Sequence, residues 1–163
     1  MNETLDVQTM LGINAEPKRK NRWIVEWEGI DTFSYLSAAR PQVTINPVEI
    51  PHMNIKRKVA GKPTWNDIAF TLIDYISPSS MQKMYEKLRT VYDPVTGTMG
   101  YPAFYQQDMS IKMTGPGGEV VEKWTVVAGW VGDLNGEELD YNAEGDFATV
   151  AGVLTYNWAI LEY

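Results

Sequence analysis

Apolar and polar positions along this chain alternate mostly with a period of two, and a helical period interrupts them once. Residues 22–27 (RWIVEW) set Trp23, Val25 and Trp27 against Arg22, Ile24 and Glu26, which is the pattern of a strand with one apolar face. Residues 32–38 predict a second strand, joined to the first through Glu28-Gly29-Ile30-Asp31 as an antiparallel hairpin and closed by Arg40-Pro41. Residues 64–73 predict a third, with Ile68, Phe70 and Leu72 on one face and Trp65, Asp67, Ala69, Thr71 and Ile73 on the other. Residues 103–114 and 119–131 flank Gly115-Pro116-Gly117-Gly118 and predict one long hairpin. A last strand over 147–163 is apolar on both faces and is expected at the centre of its sheet. The helical period lies between these strands. Met81, Met84, Tyr85, Leu88, Val91 and Tyr92 recur at three- and four-residue spacing, with Ser77 as N-cap, Pro78 as first helical residue and Asp93-Pro94 as the stop. A methionine stripe of this kind packs against a sheet.

One stretch breaks the alternation. Residues 46–63 are long and basic, and are punctuated by Pro47, Pro51, Gly61 and Pro63. Each proline removes a backbone donor and fixes φ, so the stretch is neither a central strand nor an uninterrupted helix. A long segment of this kind feeding a strand is expected to be functional. We read it as an arm that touches another molecule, with Lys56, Arg57, Lys58 and Gly61 in the arm and Trp65 and Asp67 at the start of the following strand as the contact residues.

Charge bears on that reading. The chain carries a formal net charge of −7, unevenly spread. Residues 1–62 hold 9 basic and 7 acidic side chains, whereas residues 63–163 hold 5 basic and 14 acidic. Such a balance argues against wrapping nucleic acid with the whole domain. By itself it does no more than keep a monomer soluble, but it permits a head-to-tail contact in which a basic region of one copy meets an acidic region of the next, with Asp133, Glu137, Glu138 and Asp140 as the acidic candidates. Residues 132–146 are expected to be an acidic loop anchored by Leu139 and Tyr141. Its carboxylates do not follow the Asp-x-Asp-x-Asp-Gly spacing of a calcium loop, so a solvent-facing or subunit-facing loop is expected there.

With 163 residues the chain is long enough for one domain with a core, preceded by an N-terminal arm over 1–20; the domain itself spans 21–163. Absence of cysteine leaves no disulfide framework and no thiolate metal site. No apolar run has spanning length, so no membrane insertion and a soluble intracellular product are expected. Catalysis has little to stand on. The single histidine, His52, lies in the arm after Pro51, a poor place to hold a base rigidly. The glycine cluster at 115–118 lacks a following Gly-Lys-Ser/Thr and does not lead into a helix, so it reads as a turn and not a phosphate loop. Six tryptophans and nine tyrosines on a β-rich scaffold keep a second class open, a non-catalytic carbohydrate-binding β-sandwich.

Several short blocks then fall into a familiar order. They are Thr32-Phe33, Ala39 with Pro41, Pro47-Val48-Glu49-Ile50-Pro51, Met53-Asn54, Lys58-Val59-Ala60-Gly61 and Trp65-Asn66-Asp67. Gly129-Trp130, Gly132-Asp133-Leu134, Leu139-Asp140-Tyr141 and a last strand ending on aromatic and acidic residues follow. None is specific alone. In this order and spacing, over about 21–163, the chain resembles the tail tube proteins of contractile-tailed bacteriophages, relatives of bacteriocin and type VI secretion tubes. It departs from their pattern over 1–20 and 78–102.

The resemblance implies a mainly β protein: a two-sheet antiparallel sandwich or barrel with one flanking helix, forming rings. It implies a structural virion protein with no cofactor and no catalytic or metal site. Six copies would close into a ring, and rings would stack into a tube within a contractile sheath. Sheath, baseplate and tail terminator proteins would be its partners, and double-stranded DNA would pass through without specific binding. It would reside in the virion tail, and in the host cytoplasm during assembly. An acidic wall suits such a conduit, because like charge keeps phosphates from sticking.

Overall fold

The computed structural model describes residues 11–12 and 15–163, so positions 1–10, 13 and 14 of the expected N-terminal arm lie outside the described residues. The strands are β1 (Trp23–Trp27), β2 (Tyr35–Ala38), β3 (Gln42–His52), β4 (Ile55–Asn66), β5 (Ile68–Ile73), β6 (Tyr92–Asp93), β7 (Thr98–Met99), β8 (Gln107–Thr114), β9 (Val120–Gly136), β10 (Thr149–Thr155) and β11 (Trp158–Leu161). Helix α1 (Ser80–Val91) and the single turn α2 (Pro102–Tyr105) accompany them.

Two antiparallel layers share one strand. Sheet A runs β1, β8, the first half of β9, then β11. Sheet B runs from the second half of β9 through β10 and β5 to β2. The crossing of β9 from one layer to the other is made at Ala128 and Gly129. Ala128 adopts φ 58° while its N–H donates to Asp108 Oδ1 at 3.0 Å. At Gly129 a Cβ would sit 3.2 Å from both the Gln107 carbonyl oxygen and a Leu154 methyl, so the corner leaves little room for a side chain. Tyr156 and Asn157 make the matching corner between β10 and β11. The fold is thus the expected two-sheet sandwich with one main helix, and its sheets do not close into a barrel.

The core lies between the layers. Val25, Trp27, Ile111 and Val126 come from sheet A, and Ile68, Phe70, Leu72 and Leu154 from sheet B, all at alternate strand positions. Helix α1 packs against β9 and sinks Met84 into this core. Further along α1, Lys87 lies over the Trp27 ring, 4.2 Å from its centroid, and donates to Gln107 Oε1. Burial pulls its ammonium down to about 8, with the charge of Glu28 working the other way. Among the described residues no helix is long and apolar enough to cross a membrane.

Several boundaries differ from expectation for physical reasons. Residues 32–34 form a 3-10 turn, and β2 pairs with β5 instead of forming a hairpin with β1. The helix begins two residues late, capped by Ser79, whose Oγ accepts from the Gln82 N–H at 3.3 Å. The strand expected to begin at 103 starts at Gln107, because Pro102 opens a helical turn. The strand expected over 64–73 divides at Asp67, and the one over 147–163 divides at the corner, so that β10 is central and β11 is an edge. Asp133 and Leu134, expected in a loop, continue β9. The glycine cluster is a hairpin turn, closed by the Gly115 N–H donating to the Glu119 carbonyl at 2.8 Å.

A charged clamp closes the sandwich at the β8–β9 end. Glu122 points inward and is only 6% exposed. It accepts from Lys18, from Arg40 at 3.3 Å and from the Trp124 indole at 2.7 Å. The N-terminal segment, the root of the arm and β9 therefore meet on one carboxylate. Burial alone would push this carboxyl up, but the hydrogen bonds from Lys18 and Trp124 and the charges of Lys18 and Arg40 outweigh it and hold it below the ordinary value. A depressed carboxyl stabilises the fold above its unfolded value and loses that contribution as pH falls through the folded one. Glu122→Gln should therefore cost about 1–3 kcal/mol at neutral pH. Its melting temperature should also fall less steeply than the wild type's below the ordinary glutamate value of 4.5, as read by thermal melts across an acid series. Parallel curves would remove Glu122 from this role.

Candidate functional site

The basic arm is a β-ribbon. β3 and β4 pair with each other and with no other described strand, from Gln42 opposite Asn66 to His52 opposite Ile55. Because the ribbon is two-stranded, every proline sits on an edge, where a missing N–H breaks no central ladder. The register shifts between Ile45 and Pro47. There a Cβ on Gly61 would come within 2.4 Å of the Asn46 carbonyl oxygen, so only glycine allows the close approach. The chain reverses at Met53-Asn54, with Met53 at φ 55° and 99% exposed.

Beyond the bulge the ribbon has two unlike faces. One carries Pro47, Glu49 and Pro51 opposite Ala60, Lys58 and Lys56. On it Glu49 pairs with Lys56 at 3.1 Å and approaches Lys58 at 3.9 Å, so much of the basic charge is met within the arm. The other face carries Val48, Ile50 and His52 opposite Val59, Arg57 and Ile55. Val48 is 51% exposed and Ile50 47% exposed. A projecting ribbon that leaves aliphatic side chains in water presents a surface that association would bury.

The expected contact residues thus separate. Lys56 and Lys58 share the charged face, and Arg57 stands among aliphatic neighbours on the other. Gly61 makes the bulge, and Asp67 lies exposed where the arm ends and β5 begins. Trp65 is at the root, its ring 6.1 Å from that of Tyr156, joining the arm to the core of its own chain. The aliphatic face was missed by sequence reading. Its signal was the alternation in Val48-Glu49-Ile50-Pro51, which the prolines obscured.

The acidic candidates lie elsewhere. Asp133 is on β9, opposite Val153, and accepts from the Asn135 amide at 3.0 Å. Glu137 accepts from both the N–H and the hydroxyl of Thr149, tying down the loop before β10. Glu138 and Asp140 are exposed in that loop, beside the exposed side chains of Leu139 and Tyr141. Among the described residues no ion pair joins the acidic loop to the arm of the same chain.

No protein-family model matches the chain, and no curated protein matches its sequence. Solved structures do. A chain from the tube-terminating cap of the anti-feeding prophage shares the fold at TM-score 0.75 and 17% identity, over 91% of this chain and 92% of that one. One from the sheath–tube complex of an extracellular contractile injection system in its extended state matches at TM-score 0.73 and 14% identity, over 97% and 99%. A type six secretion system protein matches at TM-score 0.51 and 8% identity, over 87% and 83%. The fold expected from the sequence resemblance is therefore the one found, and its structural neighbours are tube proteins of contractile injection systems.

Proposed function

We propose that this chain is a structural subunit that assembles with copies of itself into stacked rings, forming the inner tube of a contractile injection apparatus. One observation carries the reading. The arm is a ribbon with an exposed aliphatic face, projecting from a fold that occurs in tube, terminator and baseplate assemblies. The arm reaches a neighbouring copy, burying Val48, Ile50, Ile55 and Val59. Arg57, beside that aliphatic face, and Lys56 and Lys58, on the opposite face of the ribbon, meet the acidic set Asp133, Glu137, Glu138 and Asp140 of neighbouring copies. Each ring holds six copies, and the tube lies inside a contractile sheath between baseplate and terminator. In a phage tail, double-stranded DNA would pass along it without specific binding. The role is mechanical and uses no catalytic group.

Electron microscopy of the purified protein tests this reading. Rings or tubes are expected, and dispersed monomers that bind glycans would overturn it. Replacing Lys56, Arg57 and Lys58 together by Glu should leave a folded monomer and block assembly at physiological salt. Normal polymerisation of that variant would remove the ionic part of the contact.

A further inference from the structure

We infer that Glu122 positions the arm: through Arg40 it fixes the direction in which the ribbon leaves the sandwich, and through Lys18 it ties that direction to the segment before β1. The consequence for assembly rests on the tube reading above; the positioning itself belongs to the single chain. Among the described strands β3 and β4 pair only with each other, so two stems set where the ribbon points. The leaving stem is held by packing, through Trp65 against Tyr156. The entering stem is Ala39-Arg40-Pro41. Ala39 donates its N–H to the Ala69 carbonyl at 3.0 Å, and Pro41 is buried. Proline fixes its own φ and confines the residue before it to extended backbone, so this stem is stiff. Ala39 and Pro41 fix where the stem stands, and the side chain of Arg40 between them fixes how it is turned. That side chain reaches Glu122 Oε1 at 3.3 Å, beside Met113 Sδ at 3.7 Å.

The other carboxylate oxygen, Oε2, takes Lys18, so one buried group joins the two segments. Among the described residues the charges that face it are Lys18 and Arg40, with Lys20 on the cleft that Arg40 and Met113 line. β8 brings the neutral Met113 opposite it, and on β9 Trp124 donates its indole while Lys123 pairs with Glu162 instead. Protonating Glu122 therefore releases both cations at once. Burial pushes this carboxyl up, and the Lys18 hydrogen bond is the largest of the effects that bring it below its ordinary value. Without Lys18 the proton binds at a higher pH, and the arm comes loose at a higher pH. The segment before β1 thus sets the acidity at which the arm is released. A ribbon already held in one direction loses less freedom when it meets a neighbour, so the clamp favours assembly.

The chain has no cysteine, so nitroxide labels at Asn54→Cys, on the exposed tip of the arm, and at Gln82→Cys, exposed on α1, report one distance. Pulsed electron spin resonance of the full chain, below its assembly concentration, should give a narrow distribution at neutral pH. Arg40→Gln and Glu122→Gln should broaden it, and Arg40→Lys should keep it narrow. Arg40 is itself exposed, so Arg40→Gln carries the test where Glu122→Gln fails to fold. Met84→Ala, which weakens the fold elsewhere, should leave the distribution narrow. On acidification the wild type should broaden below the ordinary glutamate value of 4.5, and Lys18→Gln at a higher pH than the wild type. Arg40→Gln should also raise the protein concentration needed for tubes by ~10-fold. Narrow distributions in both Arg40→Gln and Glu122→Gln, or equal broadening in Met84→Ala, would overturn the positioning role. Coincident acid profiles for the wild type and Lys18→Gln would overturn the tie to the segment before β1. Wild-type protein that forms no tubes, with the distances behaving as stated, would overturn the tube reading and leave the positioning standing.

Discussion

Ile50→Asp/Val59→Asp should abolish tube assembly and leave the isolated chain as stable as before. Both side chains lie on the aliphatic face of the arm, and neither belongs to the core of the chain. Surface substitutions away from caps and buried networks change stability by roughly 0.5 kcal/mol or less, so the monomer's melting temperature should move by about 2 °C at most. In the assembly the same two positions would be central contacts, and central contacts carry most of an interface's energy. Burying an unpaired carboxylate there should raise the protein concentration needed for assembly at least ~100-fold, which is about 2.7 kcal/mol. Charge reversal at Lys56 and Lys58 alone should do less. Those ammonium groups already meet Glu49, and exposed ion pairs contribute about 0–1 kcal/mol and weaken with salt. Sedimentation of both variants over a concentration series separates the cases. Equal loss in both would mean that charge and not apolar burial drives the contact.

What sequence could and could not show follows from the range of the forces involved. Alternation at Trp23-Val25-Trp27 and Ile68-Phe70-Leu72 reports a local property, which face of a strand is buried, and those faces are buried. Corners are not local. Residues 147–163 read as one strand because both faces are apolar throughout, yet the chain changes sheets at Tyr156-Asn157 and β9 does so at Ala128-Gly129. Partner choice is not local either: β2 lies one short loop from β1 but pairs with β5, because the 3-10 turn at Thr32–Ser34 carries it to the other layer. The arm's contact role was proposed from its prolines and its charge. Its two-faced ribbon was hidden, because prolines that exclude a central strand are tolerated in an isolated pair. The acidic loop was placed correctly after 136, and its ties through Glu137 to Thr149 needed coordinates.

Met84→Ala should be among the most damaging single truncations outside the sheets, and Gly152→Ala should cost less beside it than on its own. Met84 is 0% exposed and is the residue by which α1 enters the core. Truncating a buried methionine costs about 2–5 kcal/mol. At roughly 2–4 °C per kcal/mol for a chain of this size, a loss near 3 kcal/mol lowers the melting temperature by ~6–12 °C. Gly152, on β10, faces the same space. A Cβ there would lie 2.6 and 2.8 Å from two carbons of the Phe70 ring and 3.1 Å from the Met84 methyl, so Gly152→Ala alone overpacks and should cost about 1–3 kcal/mol. With Met84 shortened, the Phe70 ring gains room to move off the new methyl, and that methyl fills part of the cavity. Residues that share one cavity couple, so Met84→Ala/Gly152→Ala should lose at least ~1 kcal/mol less than the two single changes added together. Urea titrations of the four proteins, kept below the assembly concentration, measure this directly. Additive losses would mean that Met84 and Gly152 do not share a packing site, and that α1 is held to sheet B by other contacts.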